Sequence, residues 1–180
     1  MSIFDKNFRE IFSSQIVSII GGLITGTAIA IYTDKLLLIP GMLILLPGFL
    51  EMRGNISGSL ASRLSSGLFL GVIKPKHYNT KIIRGNLWAS FFEAMAVSLA
   101  LGILAFLFNY FLLGVYTPTI IILPIIAAVI ANTIETVLTL FTTFYLFKKG
   151  HDPNNIMGPF VTSTGDITST VALLISLVII

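Results

Sequence analysis

Long apolar stretches separated by short polar connections run through the whole sequence. A transmembrane α-helix needs about 20 predominantly apolar residues to cross a hydrocarbon core of about 30 Å. The pattern therefore predicts an all-α membrane protein with about five transmembrane helices per chain. The predicted spans cover about residues 11–32, 36–73, 87–113, 119–147 and 156–180.

Glycine and proline interrupt two of these spans. In the first, Gly22 and Gly26 form a G-x-x-x-G pair, which lets another helix approach closely. The second is too long for one crossing and contains Pro47-Gly48 and Gly54-Asn55. We expect a helix that is broken near Gly54-Asn55, with halves at about 36–50 and 56–73.

The composition supports the membrane interpretation and narrows the chemistry. Hydrophobic residues make up 55% of the chain and charged residues 11%, which a water-exposed surface does not allow. We expect one transmembrane domain over residues 1–180, with no soluble domain. The chain has no cysteine, so the available metal ligands are oxygen and imidazole, which favours hard cations over soft ones.

The basic residues between the spans predict the orientation of the chain. Because lysine and arginine accumulate in cytoplasmic loops, the sequence predicts a multi-pass protein of the cell membrane with a cytoplasmic N-terminus. The net charge of +3 is better explained by contact with the inner leaflet than by nucleic acid. Only Lys35 would lie on the outer side, and the inner side would hold Lys6, Arg9, Lys74, Lys76, Lys81, Arg84, Lys148 and Lys149.

Ionisable residues inside the predicted spans are candidates for function, because charge in hydrocarbon is costly unless it faces the bundle interior or water. One explanation is internal ion pairing, in which Arg53 or Arg63 neutralises Glu51 or Glu93. At least two carboxylates still remain without a basic partner, and a cation or a proton could fill that role. The residues concerned are Glu51, Arg53, Arg63, Glu93, Glu135 and Asp166.

Polar residues also recur at helical spacing in three of the spans. Such faces need water or another polar helix, and hydrogen bonding between helices is the alternative to an ion path. The three sets are Asn55, Ser59, Ser62 and Ser66; Asn132, Glu135 and Thr139; and Thr162, Asp166 and Thr170.

Two segments resemble the MgtE family of magnesium transporters and its eukaryotic solute-carrier relatives. The first is PGFLEMRGNISGSLASRLSSGLFLG at 47–71, of which LASRLS is close to the eukaryotic branch. The second is HDPNNIMGPFVTSTGDIT at 151–168. The resemblance implies a homodimeric transporter of Mg²⁺ or other divalent cations, with the pore on the dimer axis. We expect no counterpart of the large cytoplasmic sensor that bacterial members carry.

The resemblance also implies roles for individual residues. Asp166 would form the central cation site, Asp152 would lie at the cytoplasmic mouth, and Asn55 and Glu93 would line or support the pore. Glu135 is a candidate metal ligand from its position in the fourth span alone. We expect the remaining pore-lining or supporting residues to be Ser59, Ser62, Thr162, Thr170, Glu51 and Arg63.

Other functional classes fit the sequence less well. A sodium- or proton-coupled exchanger or exporter of divalent cations remains open, because carboxylates can relay protons. The Thr164–Asp166 segment is similar to the G-x-G-D motif of intramembrane aspartyl proteases, but Ser163 stands where the first glycine should be. His77 and His151 lie in connections without zinc-ligand spacing. We therefore expect a transporter and no enzyme.

Overall fold

A computed structural model describes residues 5–180, and helices account for most of this range. The order of the helices matches the predicted spans closely, although one short helix precedes the helix of the second span. The helices are α1 (Lys6–Ile31), α2 (Thr33–Leu36), α3 (Met42–Phe69), α4 (Lys81–Leu113), α5 (Thr119–Lys148) and α6 (Pro153–Ile179).

Local signals set several helix boundaries. Asp5 begins α1 by accepting a hydrogen bond from the Phe8 amide at 2.9 Å, and Thr80 caps α4 through the Ile83 amide at 3.3 Å. Asp152 caps α6, where Pro153 takes the first helical position. These residues satisfy amide groups that have no partner within the helix.

Helix α6 lies at the centre of the bundle and packs against α1, α3 and α5, while α4 packs against α3 and α5. The largest apolar core joins α3, α4, α5 and α6 through residues such as Leu45, Phe49, Leu123 and Ala127, all fully buried. The outward surfaces of α1 and α4 remain strongly apolar, as expected for helices that face lipid.

Contacts between connections show which helix ends meet. At one end, Lys6 donates to the Gly150 carbonyl, and Lys148 donates to the Tyr78 hydroxyl at 2.6 Å. At the other end, Asn109 donates to the Pro40 carbonyl at 2.7 Å. The eight basic residues predicted to lie on the inner side are thus all at or near the first end.

The predicted break at Gly54-Asn55 is wrong, because α3 is continuous from Met42 to Phe69. The interruption lies earlier, at residues 37–41, where Gly41 adopts φ +84°. A glycine inside a helix costs only about 1 kcal/mol, and α3 offsets this cost by burying one side from Met42 to Leu68. Pro47 removes one backbone hydrogen bond but does not end the helix.

The count of five membrane spans is not confirmed by length and apolar character. Four helices of the described chain are long and apolar enough to cross a membrane: α1, α4, α5 and α6. Helix α3 is of similar length but carries Glu51, Arg53 and Arg63. Its polar groups must therefore be accommodated inside the protein or in water.

The close approach between α1 and α6 involves a different glycine from the predicted pair. A Cβ atom on Gly21 would lie 1.7 Å from the Ser163 hydroxyl oxygen, so α6 packs directly against this position. For Gly22 and Gly26, no described atom outside the neighbouring residues and backbone of α1 itself lies within 4 Å of such a Cβ. Their predicted role in helix packing is not fulfilled within this chain.

The crossing of α4 and α5 predicts a specific sensitivity to substitution. A Cβ atom on Gly102 would lie 2.6 Å from the Ile121 carbonyl oxygen, and backbone cannot yield as a flexible side chain can. We expect Gly102→Ala to destabilise the protein by about 1–3 kcal/mol. Gly85→Ala is the matched control in the same helix, because nothing lies within 4 Å of its Cβ position. Thermal unfolding in detergent or lipid measures the stability of both variants. Equal unfolding midpoints for Gly102→Ala and Gly85→Ala would contradict the crossing geometry.

Candidate functional site

The largest polar cavity of the described residues is an open groove between α3 and α6, with a volume of about 560 Å³. Its walls combine small residues, which leave space, with residues that carry oxygen atoms. The lining residues are Pro47, Leu50, Glu51, Gly54, Asn55, Gly58, Ser59, Gly158, Val161, Thr162 and Asp166. We call this cavity the α3–α6 groove.

Helical spacing explains why these polar residues share one groove. Glu51, Asn55 and Ser59 follow at intervals of four along α3, and Thr162 and Asp166 are four apart on α6. Residues four apart lie on nearly the same helix face. Since α3 and α6 pack together, both polar faces meet along one side of the bundle.

Hydrogen bonds hold part of the groove surface in place. Asn55 Nδ2 donates to Glu51 Oε1 at 3.1 Å, and Arg63 Nη1 donates to Ser59 Oγ at 3.1 Å. The Thr162 hydroxyl donates to the Gly158 carbonyl one turn earlier, at 3.0 Å. Asn55 thus orients the Glu51 carboxylate, and the hydroxyl oxygens keep lone pairs for further partners.

The electrostatics of the groove are dominated by two carboxylates. Asp166 is half-buried, and the Glu51 carboxylate is close enough to repel its negative charge. A cation between them would relieve this repulsion. Carboxylate, amide and hydroxyl oxygens are the ligands that hard cations prefer. Within residues 5–180 no three His, Cys, Asp or Glu side chains come together, so the groove offers a sparse set of protein ligands.

The predicted pairing of Glu51 or Glu93 with arginine is wrong. Within the described chain, neither Arg53 nor Arg63 forms an ion pair with these carboxylates. Arg53 instead donates to Asn132 Oδ1 at 3.0 Å and attracts Glu135 electrostatically. Among residues 5–180, the two carboxylates of the α3–α6 groove are therefore left without a basic partner.

Glu135 belongs to a second polar group, on the side of α3 and α6 away from the groove. It is completely buried and accepts hydrogen bonds from Thr164 at 3.3 Å and Thr168 at 3.1 Å. Together with Arg53 and Asn132, these residues form what we call the rear polar cluster. The structure thus does not bring Glu135 into the groove with Asp166.

The other predicted site residues are spread over the bundle. Asp152 caps α6, and its 14-residue separation from Asp166 corresponds to about 21 Å along the helix. An aspartyl protease would need two aspartates close together, and Asp152 and Asp166 are too far apart along α6 to serve. Glu93 is exposed on α4 and Ser62 on α3, whereas Thr170 is buried. None of these four residues lines the groove.

Sequence reasoning missed the partners in the rear polar cluster. Thr164 and Thr168 are four apart, a spacing that could have predicted a shared polar contact on the face of α6 opposite Asp166. It also missed Gly54, Gly58 and Gly158 as walls of the groove. Their role follows from the packing of α3 on α6, for which the sequence of one helix gives no signal.

The groove geometry predicts that water reaches the polar face of α3. We expect Asn55→Cys to react rapidly with a water-soluble thiol reagent, because Asn55 is exposed in the groove. Ser57→Cys is the matched control, since Ser57 lies two residues away and is buried. The background is clean because the chain has no cysteine. Equal labelling rates for the two variants in proteoliposomes would contradict the described face of α3.

Comparisons with known proteins place the chain in a family. The family model MgtE, a divalent cation transporter, matches residues 46–176. Solute carrier family 41 member 2 of Gallus gallus is 27% identical over 128 residues, which is 69% of this chain and 22% of the relative. The human protein of the same name is 28% identical over 128 residues, with the same shares.

The chain thus spans less than a quarter of the length of these curated relatives, with 22% of the Mus musculus protein covered as well. The family match includes nearly all of α3 and α6 and the whole α3–α6 groove. With most of its length matched by the family model, the chain belongs to the MgtE family of divalent cation transporters.

Proposed function

We propose that this protein carries Mg²⁺ across the cell membrane along the α3–α6 groove. The observation that carries the proposal is that Glu51 and Asp166 face one groove and form no ion pair with a basic residue in the part of the chain that the structure describes. Membership of the MgtE family supports a transporter rather than an enzyme. The curated relatives, which are named as solute carriers, support the same class of function.

The chemistry of Mg²⁺ fits a sparse oxygen site. This ion demands octahedral coordination, loses water reluctantly and is usually held by one or two carboxylates together with several waters. Asp166 and Glu51 supply the charge, and Asn55, Ser59 and Thr162 supply neutral oxygens that can bind the ion's water shell. The ion would then pass through the groove partly hydrated, with Asp166 as the dominant ligand.

A second copy of the chain would complete the path. The groove is open along one side, so a single subunit does not enclose an ion. We propose a homodimer in which two grooves face each other across the dimer axis, as the resemblance to the family implies. Four carboxylates, two from each subunit, would then surround the pore. The exposed Glu93 and Ser62 and the buried Thr170 would support this assembly outside the groove.

The arrangement of the helix ends supports a direction for the path. Asp152 lies at the same end of the bundle as the basic connections. By the positive-inside rule this end is cytoplasmic, which gives a cytoplasmic N-terminus. Asp152 would then attract cations to the inner mouth, and α3 would act as a fifth crossing whose charged residues face the groove or the rear polar cluster. Arg63, bonded to Ser59, would bound the groove at its inner part.

The central test is removal of the Asp166 charge. We expect Asp166→Asn to abolish Mg²⁺ flux into proteoliposomes, because the amide no longer offsets the partial dehydration of the ion. The fold should survive, since Asp166 is only half-buried. Asp34→Asn is the control, because Asp34 is an exposed carboxylate on α2, outside the groove.

Flux should be measured with a fluorescent Mg²⁺ probe, with and without a sodium or pH gradient. Wild-type flux that is independent of both gradients would support uncoupled passage of the ion. A folded Asp166→Asn protein with wild-type flux would rule out Asp166 as the dominant ligand.

A further inference from the structure

The rear polar cluster lies behind both walls of the α3–α6 groove. Asn132 and Glu135 are three residues apart on one face of α5, and they are 2% and 0% exposed. Asn132 accepts a hydrogen bond from α3, and Glu135 accepts two from α6. One helix outside the groove therefore holds both helices that form it.

On α6, the contacts straddle Asp166. The Thr164 hydroxyl lies 3.3 Å from Glu135 Oε2 and 2.9 Å from the Phe160 carbonyl oxygen, and the Thr168 hydroxyl lies 3.1 Å from Glu135 Oε1 and 3.2 Å from the Gly165 carbonyl oxygen. Each hydroxyl has one proton, which it shares between Glu135 and its own helix. Each threonine is two residues from Asp166, which corresponds to a rotation of about 200° around the helix axis. The carboxylate of Glu135 thus binds α6 on the face opposite Asp166, at the same height in the bundle.

The same relation holds on α3. Arg53 is completely buried and lies two residues from both Glu51 and Asn55. Its Nη1 donates to Asn132 Oδ1 at 3.0 Å, so α3 is also held on the face opposite its groove residues. In each helix, the bond to α5 fixes the rotation that directs the polar residues into the groove.

The charges of the cluster reinforce this arrangement. Arg53 and Glu135 attract each other within the bundle without forming an ion pair among the described residues, and Asp166 repels Glu135 more weakly. Of the buried Arg53 nitrogens, only Nη1 has a hydrogen-bond partner within residues 5–180. A buried charge is tolerated only when it is compensated and hydrogen-bonded. Rotating α3 or α6 would separate these groups from their partners, so the cluster favours one orientation of each helix.

We propose that Arg53 and Glu135 are positioning residues, which hold Glu51, Asn55 and Asp166 towards the groove from behind. This inference rests on the proposed function for its consequence in transport. Glu135 acts through the threonines of α6 and does not bind the ion. Helix α5 then sets the separation of the two groove carboxylates and with it the affinity for the cation.

The test removes the two hydroxyl donors and leaves the shape of α6 unchanged. In the double variant Thr164→Val with Thr168→Val, Glu135 loses its contacts to α6 but every charge is kept. We expect the half-saturating Mg²⁺ concentration for flux to rise by about tenfold, since Glu135 loses both threonine hydroxyls as donors. The maximal flux should change less. Thr164→Ser with Thr168→Ser keeps both donors and should stay within about threefold of the wild type.

A second measurement does not depend on transport. Thr162→Cys places a thiol in the groove four residues before Asp166, and its reaction with a water-soluble maleimide reports the rotation of α6. We expect this reaction to slow several-fold in the double valine background and to keep its rate in the double serine background. Thr27→Val, on the exposed face of α1, controls for a threonine-to-valine change elsewhere.

The outcomes separate the two proposals. If the wild type carries no Mg²⁺ but labelling still depends on the threonine donors, the proposed function fails and the positioning role stands. A folded double valine variant with wild-type labelling and wild-type half-saturation would overturn the positioning role. If the double variant does not fold, Thr164→Val and Thr168→Val are measured singly. Each should then give a smaller slowing of labelling, and wild-type rates in both would refute the inference.

Discussion

The placement of charged side chains in an apolar helical bundle is the constraint on which the rest of this structure depends. Helix α3 carries Glu51, Arg53 and Arg63 among apolar residues, and a charge among apolar side chains needs a partner or water. The bundle meets this requirement in two ways. Arg53 turns inward to the rear polar cluster, and Glu51 turns to the open groove beside Asp166. Because Arg53 lies away from the groove, the groove keeps its two carboxylates and is negative in character.

Helix α6 connects these two environments. Its rear face bonds to Glu135 through Thr164 and Thr168, and its front face presents Thr162 and Asp166. Its third side receives α1, which approaches closely at Gly21. A helix that is restrained on its rear face and by α1 can hold a half-buried carboxylate at a fixed place on its front face. This restraint matters for a cation site, because the affinity of such a site depends on the spacing of its oxygens.

Much of the fold followed from the pattern of apolar residues, and the exceptions have physical causes. The bounds of α4, α5 and α6 lie within a few residues of prediction except for the start of α4, because long apolar runs are strong signals. The break near Gly54-Asn55 was wrong because local propensity is weak beside the burial of a whole helix side. The hydrogen bond from Arg53 to Asn132 depends on which face α5 turns towards α3. The spacing of residues along either helix does not determine that face.

The candidate site was likewise only partly predictable. Spacing placed Asn55, Ser59, Thr162 and Asp166 on faces that the structure joins in one groove. The ladder from Thr162 to Thr170 extends too far, because each step of four residues drifts by about 40° around the helix. By Thr170 the side chain has turned into the bundle, where it is buried. The sequence gives no signal for the contacts of Glu135 with Thr164 and Thr168, because these threonines lie on a different helix.

The most direct test of the account is to locate a bound divalent cation. Mn²⁺ accepts the same oxygen ligands as Mg²⁺ and scatters anomalously. Anomalous diffraction from crystals of the protein in lipid with Mn²⁺ would show where the ion is held. The account predicts a peak in the α3–α6 groove beside Asp166 and Glu51, bound directly at about 2.1 Å or through a shared water. A peak at Glu135 or Glu93, with none in the groove at saturating Mn²⁺, would contradict it.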